Sequence, residues 1–323
     1  MKSRLFAVVL AGLLAGLIAA QEKANPNKPS RVSPSSGAPE KPQNPTSSPR
    51  NALPDGARAF RDLEYVSGGH ERQKLDLYLP KEGSQLPLLV WVHGGAWRAG
   101  SKDPCPAVSF VRDGYAVASI NYRLSQHAIF PAQLEDCKAA IRWLRANAGK
   151  YGIDSDRIGV WGSSAGGHLV AMLGTAGDVK EFEKGEHLQF SSRVQAVCDW
   201  FGPSDFTQMN KAGSSMDHDA ANSPESHLIG GPIQENKEKT ARANPITFVS
   251  RDDPPCLIMH GDKDPLVPMN QSELLNEALK KAGVETNFHV VPGAGHGFGG
   301  PDLIRMVRQF FAKHLKNGAA SGN

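Results

Sequence analysis

The stretch RIGVWGSSAGGHLVAML, residues 157–173, predicts a strand that turns at once into a helix. Arg157–Trp161 is short and mostly apolar, as a buried strand requires, and Ala165–Leu173 is an apolar helical segment. The turn between them, Gly162–Gly166, contains only small residues, because larger side chains would crowd a backbone that reverses so tightly. Ser164 is therefore expected at the N-terminus of a helix, where backbone N–H groups and the helix dipole favour a developing negative charge.

Strand and helix patterns alternate on both sides of this turn. Strands are predicted at Arg58–Ser67, Lys74–Pro80, Leu86–His93, Tyr115–Asn121, Arg157–Trp161, Val194–Trp200, Cys256–His260 and Thr286–Val291, and helices at Pro131–Ala148, Ala165–Leu173, Gln271–Ala282 and Asp302–Leu315. The first two strands are expected to be antiparallel. The alternation predicts an α/β fold with a mostly parallel central sheet of about eight strands, flanked by helices.

Residues 1–20 are typical of a secretory signal peptide. Lys2 and Arg4 form a basic start, Leu5–Ile18 is apolar, and two alanines follow as a cleavage point. An uncleaved membrane anchor is the alternative, but the apolar run is short for a bilayer span and contains two glycines. We therefore expect a secreted or periplasmic protein that has no stable membrane association once the signal is cleaved.

Three further regions follow the signal peptide. Residues 21–53 are rich in Pro, Ser, Asn and Lys and nearly empty of large apolar side chains, which predicts a disordered linker. Residues 54–317 hold the alternating pattern and form the predicted catalytic domain, and residues 318–323 are expected to be a flexible tail.

The composition excludes several functional classes. Of the 323 residues, 40% are hydrophobic and 21% charged, as expected of a soluble globular enzyme. The formal net charge of +3 is too weak to indicate nucleic-acid binding. The four cysteines form no C-x-x-C pattern and no His/Asp/Glu ligand cluster is found, so neither a metal nor a required disulfide is expected. The sequence does not indicate an oligomeric state.

The turn at residues 162–166 fits G-x-S-x-G, the pattern of a nucleophile elbow, which a preceding strand and a following helix support. A serine hydroxyl needs a base, and in enzymes with such an elbow the chain order is Ser, acid, His. His296 lies in a glycine-lined loop after the last predicted strand, which makes it the candidate base. Asp264 follows the penultimate strand and precedes a proline, so it is favoured as the acid over Asp262.

A second glycine-containing turn, His93–Trp97 (HGGAW), follows the third predicted strand. Its glycines allow backbone N–H groups to approach a substrate oxygen and to stabilise a tetrahedral oxyanion. The N–H of Gly95 or Ala96, together with that of Ala165, is predicted to form this oxyanion hole. His93 itself is expected to be a structural residue.

The segment Phe206–Arg242 is long, polar and weakly patterned, and it lies between two predicted strands. We expect it to cover the site and to set specificity, the alternative being a surface excursion without substrate contact. Trp97, Trp200 and Phe201 follow or end predicted strands and are the candidate substrate-binding aromatics.

With these residues in view, the chain resembles the esterase/lipase branch of the α/β-hydrolases, and most of all bacterial secreted carbohydrate esterases of the acetyl-xylan and feruloyl esterase-like group. The resemblance extends from Tyr65 to about Phe311. The motifs that carry it are His-Gly-Gly-x-Trp at 93–97, Gly-x-Ser-Ala-Gly-Gly at 162–167, Phe-Pro-Ala-Gln at 130–133, Asp-Trp-Phe-Gly-Pro-Ser-Asp-Phe at 199–206 and Pro-Gly-Ala-Gly-His-Gly-Phe at 292–298.

The resemblance implies an α/β-hydrolase fold and hydrolysis of a carboxylic ester without a cofactor. Ser164, Asp264 and His296 would be the catalytic triad, while Gly94, Gly95 and Ala165 would border the oxyanion hole. The substrate would be a small or polysaccharide-linked ester with a short acyl or aryl group. The His-Gly-Gly-Ala turn lacks the third glycine of the hormone-sensitive-lipase-like relatives, and their N-terminal cap helices have no counterpart here. A large lipid-binding lid is therefore not expected.

Three alternatives remain open. An arylformamidase-like amide hydrolase shares the His-Gly-Gly-x-Trp pattern, although its cytoplasmic role fits poorly with an export signal. A prolyl-oligopeptidase-type exopeptidase would need a propeller domain, for which the chain has no room. A catalytically inactive hydrolase fold that serves as a binding module would be expected to lack a triad residue, and none is missing.

Overall fold

The computed structural model describes residues 53–316. The predicted signal peptide, the linker up to residue 52 and the predicted tail lie outside the described residues. Among the helices of the described part, none has the length and apolar character needed to cross a bilayer.

The described residues form one sheet of eight strands, which confirms the predicted architecture. The strands are β1 (Arg58–Glu64), β2 (Lys74–Leu79), β3 (Leu86–Val92), β4 (Ala116–Ile120), β5 (Ile153–Ser163), β6 (Ala196–Trp200), β7 (Cys256–Gly261) and β8 (Thr286–Val291). Their order across the sheet is β1-β2-β4-β3-β5-β6-β7-β8. The pairs β1–β2 and β2–β4 are antiparallel and all others are parallel, so β2 alone runs against the rest of this sheet.

Helices cover both faces of the sheet. Within residues 53–316 the α-helices are α1 (Ala132–Ala146), α2 (Ala148–Tyr151), α3 (Ala165–Thr175), α4 (Pro224–Ile229), α5 (Lys237–Ala243), α6 (Asn270–Ala282) and α7 (Pro301–Leu315). Short 3-10 helices lie at Pro106–Asp113, Lys180–Phe182, Phe206–Gln208, Asn210–Ala212 and Pro245–Thr247. The helices α4 and α5 lie in the polar, weakly patterned segment that follows β6, for which no secondary structure was predicted.

The central strand β3 shows why the sheet is covered on both sides. All seven of its residues are buried, and alternate side chains belong to different cores. Val90 packs in the core covered by α1, α3 and α6, whereas Trp91 packs in the core beneath α7, where Phe110 and Phe311 also lie. The parallel strands thus end at one edge of the sheet, where ligands of open α/β sheets bind.

Candidate active site

Ser164 stands at the sharp turn between β5 and α3. Its φ of 55° and ψ of −123° lie outside the favoured regions for a non-glycine residue. A Cβ at Gly162 would approach the Gly166 carbonyl oxygen to 2.3 Å, and one at Gly166 would approach the Val92 carbonyl oxygen to 2.1 Å. The turn is held from the neighbouring strand, since the Ser164 N–H donates to the Trp200 carbonyl at 2.9 Å. Glycine is therefore required on both sides of the serine.

His296 reaches the serine from the loop after β8. Its Nε2 lies 2.9 Å from Ser164 Oγ, and its Nδ1 lies 2.7 Å from Asp264 Oδ2. Since a carboxylate only accepts, Nδ1 is the protonated nitrogen and Nε2 accepts from the serine hydroxyl. The Phe201 ring lies 4.9 Å from the imidazole, centroid to centroid, at 65°. The imidazole is thereby fixed in the orientation that a general base needs.

The Asp264 side chain is fully buried in the loop after β7. Its Oδ1 accepts from the N–H groups of Leu266 at 2.9 Å and Val267 at 3.0 Å. Burial by itself would raise the pKa of this carboxyl, but hydrogen bonds from His260, His296 and the loop backbone outweigh burial and hold the pKa below its ordinary value. Asp264 is thus an anion across the physiological pH range.

The neighbouring acid, Asp262, connects two loops. Its Oδ1 accepts from the Gly293 N–H at 2.6 Å, so it ties the acid loop to the loop that carries the histidine. Two further histidines lie away from Ser164, His289 within β8 and His314 on α7 beside Glu285.

The turn at 93–97 packs against the elbow. A Cβ at Gly94 would lie 2.8 Å from the Ser163 carbonyl oxygen, so only glycine permits this approach. Gly95 has a φ of 113° and Ala96 a φ of 53°, both in the left-handed region. Among the described residues, the N–H groups of Ala96 and Ala165 donate to no other group. Both residues line the same cavity as Ser164, so their N–H groups are available to an oxyanion.

His168, which the sequence analysis did not assign to the site, contacts Trp97 of this turn. The Trp97 Nε1–H donates to His168 Nδ1 at 3.2 Å, and His168 Nε2–H donates to the Ala243 carbonyl at 2.6 Å. Burial lowers the pKa of His168 to about 4, so the imidazole is neutral and can accept from the indole. Sequence spacing gives no sign of this contact, because 71 positions separate the two residues.

A small cavity of about 70 Å³ opens beside the serine. It is lined by Ala96, Trp97, Ser164, Ala165, Pro203, Met216, His218, Pro224, Glu225, Leu266, Val267 and His296. Four of these residues, Met216, His218, Pro224 and Glu225, belong to the polar segment expected to cover the site. That segment therefore reaches the cavity beside Ser164.

The three predicted pocket aromatics differ in position. Trp97 lines the cavity, whereas Trp200 and Phe201 are not among its lining residues. The Trp200 ring packs between Trp161, at 5.0 Å, and Phe298, at 4.9 Å. The reason is its place as the last residue of β6, on the side of the sheet that forms the core beneath α7. Phe201 contacts the His296 imidazole instead.

Metal ligation finds no support here. Within residues 53–316 no group of three or more His, Cys, Asp and Glu side chains could hold a metal ion. The thiols of Cys105, Cys137, Cys198 and Cys256 are all buried.

The BD-FAE family model matches residues 75–279, which include Ser164, Asp264 and the turn at 93–97. The chain belongs to the BD-FAE family. The resemblance to carbohydrate esterases of the α/β-hydrolase fold is thereby confirmed.

Solved structures of carbohydrate-active esterases are similar to this BD-FAE chain. A truncated carbohydrate esterase from gut microbiota is 37% identical, with a TM-score of 0.74, over 80% of this chain and 96% of that one. An acetyl ester-xyloside bifunctional hydrolase from Caldicellulosiruptor lactoaceticus is 28% identical, with a TM-score of 0.61, over 76% and 87% of the two chains.

Curated relatives of this family member are carboxylic ester hydrolases. Esterase LipQ of Mycobacterium tuberculosis is 34% identical over 76% of this chain, and Esterase LipC of the same organism is 31% identical over 77%. The aligned part spans 58% of LipQ and 64% of LipC.

Proposed function

We propose that this BD-FAE family member is a serine carboxylesterase that hydrolyses short-chain esters, on carbohydrate, through an acyl-enzyme at Ser164. The observation that carries the proposal is the hydrogen-bonded series from Ser164 through His296 to the buried Asp264, at the wall of a small cavity. A serine, an oriented imidazole and a buried carboxylate in this sequence are the parts of nucleophilic acyl transfer.

In the acylation step His296 Nε2 takes the proton of the Ser164 hydroxyl while Oγ attacks the ester carbonyl. The N–H groups of Ala96 and Ala165, with Gly95, stabilise the oxyanion that develops on the carbonyl oxygen. Asp264 stays ionised and stabilises the imidazolium. Collapse of the tetrahedral intermediate releases the alcohol, which leaves with the proton from His296.

In the deacylation step water takes the place of the alcohol. His296 removes a proton from the water, hydroxide adds to the acyl carbon, and Ser164 Oγ leaves with the proton that the imidazole returns. The products are the free acid and the regenerated serine, and no cofactor enters either step.

The size of the cavity supports a short acyl group. Its volume of about 70 Å³ is less than half of the ~150 Å³ that accommodates a benzene ring in an engineered protein cavity. An acetyl group fits this space, whereas a feruloyl ring is larger than it. The likeness to a carbohydrate esterase and to an acetyl ester-xyloside hydrolase supports a sugar-linked acetyl ester.

We also propose that the protein acts outside the cytoplasm. The support is the sequence pattern of residues 1–20, which is typical of a cleaved export signal. Acetylated or feruloylated polysaccharides are too large to enter a cell, so an enzyme that acts on them must be exported.

A substrate panel tests the proposed function. The protein from Gln21 onward would be assayed with p-nitrophenyl acetate through decanoate, acetylated xylan, methyl ferulate and N-formylkynurenine, each beside Ser164→Ala. We expect serine-dependent release of acetate and a decline in kcat/KM with acyl length. Dominant hydrolysis of N-formylkynurenine would replace the substrate assignment by an arylformamidase. Inactivity on every compound would favour a binding module with an inactive site.

A further inference from the structure

Glu225 is a buried carboxylate in the wall of the cavity beside Ser164. It lies in the first turn of α4, and its side chain is only 4% exposed. Its Oε2 atom lies 3.0 Å from His218 Nδ1, an ion-pair distance without hydrogen-bond alignment. In the part of the chain that the structure describes, no group donates to its other oxygen, Oε1. Oε2 is the fully buried oxygen, whereas Oε1 keeps accessible surface, so a donor on a ligand in the cavity can reach it.

His218 holds this carboxylate in place. Its Nε2 faces two oxygens, the Leu266 carbonyl at 3.0 Å and Ser214 Oγ at 2.9 Å, while its Nδ1 faces Glu225. Burial alone would lower the pKa of His218, but the contacts with Glu225 and the Leu266 carbonyl raise it. The neighbours of His218 therefore favour its charged form.

Most of the other side chains that line the cavity are apolar. Except for Ser164, His218 and His296, the other lining side chains offer no hydrogen-bonding group to the cavity, since Trp97 already donates its N–H to His168. Apart from those three side chains, Glu225 Oε1 is thus the hydrogen-bond acceptor of this wall, within the same small space as the nucleophile. A hydroxyl group of a bound ester is the neutral donor that fits it.

We propose that Glu225 accepts a hydrogen bond from a substrate hydroxyl close to the scissile ester, so that the site selects hydroxylated esters such as those of polyols over simple alkyl esters. The inference rests on the proposed esterase function and assigns the group that recognises the substrate. The donor belongs to the alcohol in an ester of a diol or sugar, and to the acyl group in a hydroxy acid ester.

Pairs of esters that differ by one methyl group test the inference. On the alcohol side, 2-hydroxyethyl acetate would be compared with 2-methoxyethyl acetate, whose leaving alcohols are similar in acidity. On the acyl side, ethyl glycolate would be compared with ethyl methoxyacetate. We expect a preference in kcat/KM for the hydroxyl member of one pair of about tenfold or more, because the methyl ether leaves Glu225 Oε1 unfilled. The pair that shows it identifies which side of the ester Glu225 contacts.

Three variants connect the preference to Glu225. Glu225→Leu removes the acceptor, so the two members of the pair should become equal in kcat/KM. Glu225→Gln should also lose the preference, because its amide oxygen would turn to His218 Nδ1 and its NH₂ would serve hydroxyl and methoxy oxygens alike. Met216→Leu, a change in the same wall without polar atoms, should keep the preference. Glu225→Gln retains a polar side chain and gives the answer if Glu225→Leu does not fold.

The outcomes separate this inference from the function on which it rests. Serine-dependent hydrolysis of p-nitrophenyl acetate with no hydroxyl preference in either pair would overturn the role of Glu225 and leave the esterase intact. The same holds for a preference that survives in Glu225→Leu or, if that variant does not fold, in Glu225→Gln. Absence of any hydrolysis above the Ser164→Ala level would overturn both.

Discussion

His260 Nε2 lies 3.3 Å from Asp264 Oδ2, the same oxygen that accepts from His296. His260 lies near the end of β7 and has no exposed surface. Its Nε2 also lies 2.8 Å from the Val267 carbonyl oxygen, and its Nδ1 lies 2.7 Å from Ser272 Oγ. Both neighbours of Nε2 only accept, so Nε2 is protonated and Nδ1 accepts from the serine. A second imidazole thus shares the carboxylate that accepts from His296.

Loss of the His260 donor should change the pH profile rather than only the stability. In His260→Leu the Asp264 carboxylate loses the Nε2–H group that lies 3.3 Å from Oδ2 and becomes more basic, so it stabilises the imidazolium form of His296 more strongly. The acid limb of kcat/KM for p-nitrophenyl acetate should then move to higher pH by roughly half a unit to one unit. Steady-state kinetics from about pH 5 to about pH 9 measure this shift.

His260→Gln is the matched control, since its Nε2 can still donate to the carboxylate. The limb should stay near the wild-type position in this variant. Equal displacement in the Leu and Gln variants, or displacement in neither, would show that His260 supports only the packing of the loop.

The elbow glycine Gly166 should tolerate no methyl group. In Gly166→Ala the new Cβ would meet the Val92 carbonyl at 2.1 Å and the His93 carbonyl at 2.6 Å, both backbone atoms that cannot rotate away. We expect a loss of about 2 kcal/mol or more in the free energy of unfolding and a large fall in kcat, because Ser164 shifts with the turn. Urea unfolding and p-nitrophenyl acetate hydrolysis measure the two effects.

Gly149→Ala provides the comparison for that substitution. Gly149 lies in α2, and a Cβ there would meet nothing within 4 Å. The change should leave kcat unaltered and shift stability by less than about 1 kcal/mol. Similar losses in both alanine variants would refute a steric requirement specific to the elbow.

The buried cations of α1 depend on Glu183. Lys138 and Arg142 have fully buried side chains, and both form ion pairs with the Glu183 carboxylate. Glu183→Ala would leave two buried charges without a counterion, which should cost about 3 kcal/mol of unfolding free energy. Glu181→Ala removes an ion pair with Arg242 in which both side chains are more than 40% exposed, and it should cost less than about 1 kcal/mol. Equal midpoints for the two variants in urea would contradict this account.

The positions of Ser164, Asp264 and His296 were predictable because each lies in a short turn directly after a strand. Parallel strands end at one edge of a sheet, so residues distant in sequence are expected to meet there once the strands are recognised. The apolar runs and the glycines around the turns were sufficient for that recognition. The eight-stranded sheet is confirmed for the same reason.

The sequence predicted that the covering segment reaches the site, but it did not predict the helices and contacts within that segment. Its helices α4 and α5 have six and seven residues, too short for a periodic pattern to emerge from a polar sequence. Glu225 and His218 are paired through tertiary contacts, and neither stands in a motif. Trp200 was assigned to the pocket from its place at a strand end, but the face of the sheet to which it belongs could be read only from the structure.

Asp199 should make the protein less stable as the pH rises through weakly acidic values. It is fully buried at the end of β6, its Oδ1 accepts from the Gly202 N–H at 2.9 Å, and its Oδ2 has no partner in residues 53–316. Burial raises its pKa to about 6, although the Gly202 N–H and His260 act in the opposite direction.

Because this pKa is higher in the folded than in the unfolded chain, the folded state holds more protons between about pH 4 and about pH 6, and its stability falls across that window. Asp199→Asn cannot ionise, so its stability relative to the wild type should increase by about 2 to 3 kcal/mol from pH 4 to pH 7. Urea unfolding of both proteins at the two pH values measures the change, with Asp302→Asn, whose side chain is 78% exposed, as the control that should show almost none. A difference between Asp199→Asn and wild type that stays constant with pH would mean that folding does not raise the pKa of Asp199.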